Sequence, residues 1–204
     1  MKIAAVLGSG NVGQALAARL RHAGVDVRFG VRTPEGPVDG IPEMPPAQAA
    51  QGADIILVAV PAAAAIEALR AAGNIDGTIV VDCTNPLAWN NGPVWSPPAG
   101  GSSTAAIAAT FPAARVVKGF NHFGVEIQAR PSLASGPADA FFAGDDTGAK
   151  QAVMALAARM GFAPHDAGPL RNAAVLENLA VLWIHLATVG GAGRNFSFRM
   201  DRQP

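Results

Sequence analysis

The chain has no tyrosine and a single cysteine, Cys83. Neither charge is in excess, since 15 lysines and arginines balance 15 aspartates and glutamates. The missing tyrosine excludes a carbonyl reductase of the Tyr-Lys type, which relies on a phenolic proton donor. One cysteine cannot close an intrachain disulfide, and no Cys/His cluster has ligand spacing, so no metal is expected. The balanced charge, with no basic run, argues against nucleic acid as a partner. A membrane span would need about 20 consecutive apolar residues. The most apolar late stretch, Ala173 to Gly193, is interrupted by Glu177, Asn178 and His185. The first residues read directly into a strand, with no basic leader region or cleavage site. A cytoplasmic protein that does not engage membranes is expected.

Apolar residues, by contrast, are plentiful. Half of the 204 residues are hydrophobic and only 15% are charged, enough for one domain with its own core. Strand-length apolar runs at Lys2–Leu7, Val25–Val31, Asp54–Val60, Thr78–Thr84 and Arg115–Phe120 alternate with alanine- and leucine-rich helices. Two further strands are expected at Ala138–Ala143 and Phe162–Asp166, with a long helix from Pro169 to about Val189. Thr33–Pro46, with five prolines and two glycines, and Asn85–Gly101 read as loops. This alternation predicts an α/β fold, a doubly wound and mainly parallel sheet of Rossmann type, with a small C-terminal helical segment. One unit over 1–204 is expected, with its dinucleotide-binding core over 1–122 and a helical cap over 168–204. Ligands of such sheets bind beyond the carboxyl ends of the strands. Those ends are Gly8-Ser9, Val31-Arg32, Val60-Pro61, Thr84-Asn85 and Asn121-His122.

The first strand runs into Gly8-Ser9-Gly10-Asn11-Val12-Gly13, a G-x-G-x-x-G sequence that opens a helix. In that context Gly8 permits the tight turn, and Gly10 lets backbone approach a pyrophosphate. Gly13 lets the helix pack close to the strand. Free N–H groups at the helix start favour an anion. An NAD-preferring site would place an acid at the end of the second strand, but no acid lies between Asp26 and Glu35. Arg32 and Thr33 stand there instead, a guanidinium and a hydroxyl suited to a 2′-phosphate. NADP is therefore the expected cofactor.

Further motifs carry a resemblance. Asp82-Cys-Thr-Asn-Pro-Leu87, Arg115-Val-Val-Lys-Gly-Phe-Asn121, Ala143-Gly-Asp-Asp146 and Asp166-Ala-Gly-Pro-Leu170 accompany the glycine loop and Arg32-Thr33. Together they resemble the NADP oxidoreductases dependent on the deazaflavin coenzyme F-420, a group that includes the dinucleotide-binding domain of the STEAP metalloreductases. The resemblance covers nearly the whole chain. It implies NADP held by Ser9, Asn11, Val12, Arg32 and Thr33, with Val60 and Pro61 near its ribose and nicotinamide. It places Asn85 and Asn121 toward the reacting ring, and a C-terminal segment that often supports a homodimer. Two positions depart from the family pattern: Val31 stands where a serine usually precedes the arginine, and His122 where a threonine commonly follows the asparagine.

Hydride transfer to a flat ring needs orientation and dryness rather than a strong acid. The expected activity is therefore hydride transfer between NADP(H) and a deazaflavin or flavin. Two alternatives stay open. One is a small imine or carbonyl reductase using His122 as proton donor, that residue otherwise being a loop histidine bonded to backbone. The other is a non-catalytic NADP-binding sensor. Lys118 and Asp82 lie inside strand patterns and read as structural, and Cys83 as inert packing. The Trp89–Trp95 region is either a lid over a planar substrate or a loop packing its own hydrophobics.

Overall fold

The computed structural model describes residues 1–201 and Gln203; the last part of the expected cap, Arg202 and Pro204, lies outside the described residues. In chain order the elements are β1 (Ile3–Leu7), α1 (Asn11–His22), β2 (Asp26–Gly30), β3 (Glu43–Met44), α2 (Pro46–Ala50) and β4 (Ile55–Val58). Then follow α3 (Ala65–Ala71), β5 (Ile79–Asp82), β6 (Leu87–Trp89), β7 (Pro93–Trp95), α4 (Ser103–Thr110) and β8 (Arg115–Lys118). The remainder comprises α5 (Val125–Ala129), β9 (Ser132–Leu133), β10 (Gly136–Pro137), β11 (Asp139–Phe142), α6 (Thr147–Arg159), β12 (Ala163–Asp166) and α7 (Ala173–Thr188).

Six parallel strands form one sheet in the order β3-β2-β1-β4-β5-β8, the doubly wound order in which the chain reverses direction beside β1. Side-chain alternation along each strand feeds two cores. Ala4 and Val6 pack with Leu16, Leu20, Val153 and Leu156 from α1 and α6. Ala5 and Leu7 pack with Ala49, Leu69 and Ile107 from α2, α3 and α4 on the opposite face. This two-sided burial explains why the strands read as continuous apolar runs rather than alternating ones. The register is unbroken across the strand ends. Gly30 pairs with Leu7, Leu7 with Val58, Val58 with Asp82, and Asp82 with Lys118. Residues just past that row therefore emerge along one edge.

Three departures from the sequence expectations shape this end of the sheet. The loop expected over Asn85–Gly101 contains an antiparallel hairpin, β6 paired with β7. Its turn uses Asn91 and Gly92 at φ 51° and 156°. The expected sixth and seventh strands do not extend the parallel sheet. β11 and β12 pair with each other, and one antiparallel bridge, Lys118 to Ala143, attaches them to β8. The final helix is preceded by a 3-10 turn over Leu170–Asn172 and begins at Ala173. Among the described residues no helix is long and apolar enough to cross a membrane.

The row ends on two charges with no solvent exposure, Asp82 and Lys118. Lys118 Nζ donates to Asp82 Oδ2 at 3.0 Å, to the Thr84 carbonyl at 2.5 Å and to Glu177 Oε1 of α7 at 3.2 Å. Asp82 Oδ2 also accepts from Thr104 Oγ1 at 2.7 Å, and Oδ1 from Thr84 N–H at 2.9 Å. Glu177, equally buried, accepts from Ser103 N–H at 2.9 Å and Trp95 Nε1 at 2.8 Å. Every ammonium donor and carboxylate oxygen in this cluster is thus matched, the condition under which buried charge is tolerated. Replacing Lys118 by Met would leave two buried carboxylates without their cation. A destabilisation of about 3–5 kcal/mol is expected, measurable as a lowered urea midpoint.

Candidate active site

The glycine turn is built by steric necessity. Gly8 sits at φ 103°, and a Cβ there would lie 2.8 Å from the Ala59 carbonyl oxygen. A Cβ on Gly13 would lie 2.0 Å from the Gly8 carbonyl, so α1 can rest on the turn only through glycine. A Cβ on Gly10, by contrast, would meet nothing within 4 Å, which leaves open space over the turn. Gly10 is the N-cap of α1 and supplies no capping side chain, and no acid stands in the first turn. The first N–H groups are therefore free to meet an anion. The turn is held by Gly8 N–H to the Gly30 carbonyl at 3.0 Å and by Gln14 Nε2 to the Ser9 carbonyl at 2.6 Å. Open space, free donors and bare backbone fit a dinucleotide pyrophosphate.

Arg32 and Thr33 follow β2 on the same edge; both are exposed, and Arg32 has no hydrogen bond or ion pair among the described residues. Sequence reasoning missed one neighbour of this corner. β3 brings Glu43 alongside, where its Oε2 accepts the Glu35 N–H at 2.9 Å. The Glu35 N–H and the Ser9 hydroxyl hold the Glu43 carboxyl below the usual carboxylate range. Glu43 thereby pins the loop that follows Arg32-Thr33. A two-residue strand inside a proline-rich loop offers no periodicity by which to find it.

Further along the edge, Val60 packs close behind Gly8, while Pro61 is exposed and leads a 3-10 turn, Ala62–Ala64. Asn85 follows β5, and Asn121 follows β8. The route to Asn121 is unusual: Phe120 is buried at φ 56°, a strained backbone for a non-glycine residue. Its ring packs edge-on against Phe142, centroids 5.0 Å apart. That packing offsets the strain and turns the chain sharply. As a result Asn85 and Asn121 meet: Asn121 Nδ2 donates to Asn85 Oδ1 at 2.8 Å, and Asn85 Nδ2 to the Asn121 carbonyl at 2.7 Å. Asn121 Nδ2 also reaches the Leu176 carbonyl at 3.0 Å, while its Oδ1 is buried without a partner.

Between these residues and the hairpin lies a cleft of about 440 Å³. One wall is Pro61–Ala63 and the floor Asn85, Pro86 and Ser103. The facing wall is Leu87 and the Ser96–Pro98 segment. No charged side chain lines it. Trp95 is half-buried and anchored to Glu177, whereas Trp89 is exposed and does not line the cleft.

His122 is elsewhere, and its candidacy as a proton donor is corrected here. The turn at Phe120 sends successive side chains to opposite sides, so His122 points into the core. It has no solvent exposure, lies between Phe123 and Phe141 at centroid distances of 4.6 and 5.1 Å, and has Nε2 3.2 Å from the Asp139 carbonyl. Burial pushes its pKa down to about 4, against a smaller opposing effect of the Asp139 carbonyl. Cys83 is buried as well, and burial pushes its thiol upward, away from reactivity.

A histidine with a depressed folded pKa stays neutral while the unfolded chain takes up a proton. Its stabilising share is complete above pH 6.5 and is lost as pH falls toward 4. Folding stability should therefore decline over that window, by on the order of 3 kcal/mol. In thermal melts, His122→Phe is expected to flatten that part of the pH profile.

Comparisons with known proteins bear on the fold and the family. The family described as NADP oxidoreductase, coenzyme F420-dependent, matches residues 2–86. A crystal structure from Arthrobacter sp. FB24, described as an F420-dependent NADP-reductase, is 33% identical, covers 98% of this chain and 99% of its own, and has a TM-score of 0.88. The rat metalloreductase STEAP3 is 31% identical over 180 residues, 84% of this chain but only 35% of its own length. The chain thus spans about a third of that metalloreductase. A reductive aminase from Aspergillus terreus shares the fold alone, with 18% identity, a TM-score of 0.68, and 94% of this chain aligned to 63% of its own. With one solved chain matched over 99% of its length at 33% identity and the glycine turn inside the matched segment, this chain belongs to the F420-dependent NADP oxidoreductase family, a family of NADP-binding oxidoreductases.

Proposed function

We propose that the protein transfers hydride between NADP(H) and a flat redox ring, a deazaflavin or flavin, in the cleft between Pro61–Ala63 and the β6–β7 hairpin. The observation that carries this reading is the cleft itself: about 440 Å³, uncharged, and lined by Pro61 and Asn85 on the edge that starts with the glycine turn. When bound, NADPH supplies the hydride from its nicotinamide. The residues of the chain orient and exclude water. Gly8 to Gly13, with Ser9, Asn11 and Val12, receive the pyrophosphate, and Arg32 with Thr33 takes the 2′-phosphate. Val60, Pro61 and Asn85 border the ribose and nicotinamide. Asn121, buried behind Asn85, holds the Asn85 side chain in place through their paired amides. A ring acceptor can take its proton from solvent, so the absence of a protein acid is no obstacle.

The imine or carbonyl reductase alternative loses its donor with His122 in the core. The non-catalytic sensor is the surviving rival, since the cofactor corner would serve it equally well. Exposed Val175, Leu182 and Val189 on and just beyond α7 support pairing of two copies along that helix.

Two measurements test the reading. NADPH oxidation should be seen with a deazaflavin or riboflavin phosphate and not with a ketone or imine panel. Tight NADPH binding with no turnover on any acceptor would favour the sensor. Arg32→Asp should weaken NADPH binding about 100-fold, the scale of a lost bidentate charge pair, while changing NADH affinity only a few-fold. Equal losses for both nucleotides would refute the assignment of Arg32.

A further inference from the structure

The hairpin that borders the cleft through Leu87 packs along α7 through β7 but shares few hydrogen bonds with the rest of the molecule. Its strands pair only with each other. The backbone bonds Ser96 N–H to Pro86 O at 2.8 Å and Gly101 N–H to Pro98 O at 3.2 Å close the segment upon itself. Among the described residues, one hydrogen bond leaves segment 86–101 for the rest of the chain, from Trp95 Nε1 to Glu177 Oε2 at 2.8 Å. Its acceptor is rigidly held. Glu177 Oε1 takes the Ser103 N–H and the Lys118 ammonium, so the carboxylate cannot rotate without stranding a buried donor. The opposite wall, Pro61–Ala63, is a proline-led 3-10 turn continuous with α3. One wall is therefore fixed by backbone, and the other by packing of β7 along α7 and one side-chain hydrogen bond.

We propose that the Trp95–Glu177 bond is a latch that sets the width of the cleft, making Trp95 and Glu177 positioning residues that govern acceptor binding without touching the acceptor. The proposal rests on the reading that the acceptor enters this cleft. A bond to a buried carboxylate is a strong one, because the charge has no water to turn to. At its far end the hairpin is held by van der Waals contact only, the tip at Gly92 lying against Val189 and His185. Loss of the indole N–H would let the hairpin sample open positions. Acceptor would then bind more weakly, while the pyrophosphate and 2′-phosphate positions, after β1 and β2, would be undisturbed.

Trp95→Phe tests this, since it keeps the aromatic bulk and deletes the donor. Three readouts are taken: amide hydrogen exchange, NADPH affinity in the absence of acceptor, and steady-state kinetics with riboflavin. Exchange in 87–95 should rise about tenfold while that in α7 stays as in the unsubstituted protein. NADPH affinity should change less than about threefold, since its phosphates are held after β1 and β2. The KM for riboflavin should rise about tenfold, with kcat changed less than about threefold. Trp89→Phe, on the same hairpin but without a bond, should leave exchange unaltered and so controls for the loss of a tryptophan. Unchanged exchange in Trp95→Phe would overturn the latch. Faster exchange with an unchanged KM would overturn its control of the acceptor. Failure of the unsubstituted protein to oxidise NADPH with riboflavin would bring down the flavin reading, and with it the latch's hold on the acceptor. That failure is distinguishable because it occurs before any substitution is made.

Discussion

The Lys118 ammonium is the constraint on which the site depends. It sits at the end of the last parallel strand with no access to water, and it must find three acceptors there. It finds them on β5, on the backbone after β5 and on α7. Those partners in turn take donors from α4 and from the hairpin. Five separate pieces of chain thus meet around one charge. An apolar residue of similar size could fill the space, but it would impose no direction. A buried ion pair of this kind contributes little net stability and strongly penalises wrong arrangements. Here the arrangement it selects places the hairpin and α7 at the carboxyl end of the sheet.

The shape of the site follows from register. Because Gly30, Leu7, Val58, Asp82 and Lys118 stand in one row, the residues after them are presented along a single edge. At β1 the edge is bare backbone, enforced by contacts that no Cβ could survive at Gly8 and Gly13. At β8 it is bent by a strained Phe120, whose packing against Phe142 compensates for the backbone. Asn121 swings back to Asn85, and its successor His122 is driven inward. A single turn decides which of two adjacent polar residues pairs with Asn85 and which is packed among phenylalanines.

The legible parts of the chain were those whose physics is local. The glycine spacing and the apolar strand runs act within a few residues. The hairpin also had a local sign, Asn91-Gly92 between two short runs, obscured by the prolines around it. Glu43 and Glu177 had none. Glu43 matters because β3 pairs with β2, and Glu177 because α7 packs over Lys118, contacts made 74 and 59 residues from Ser103 and Lys118 respectively in the latter case. His122 misled because strand-end position is visible in a sequence and side-chain direction after a strained turn is not.

What the sequence determined by itself was the α/β alternation, the glycine turn with its free helix start, and the arginine in place of an acid after β2. Each is dictated by sterics or by charge over a short span. Tertiary structure alone decided which asparagines pair, that His122 is buried and neutral, and that a tryptophan on the hairpin is fastened to a glutamate on the last helix. Those outcomes depend on which distant surfaces come together, and buried polar groups accept only arrangements in which every donor finds an acceptor.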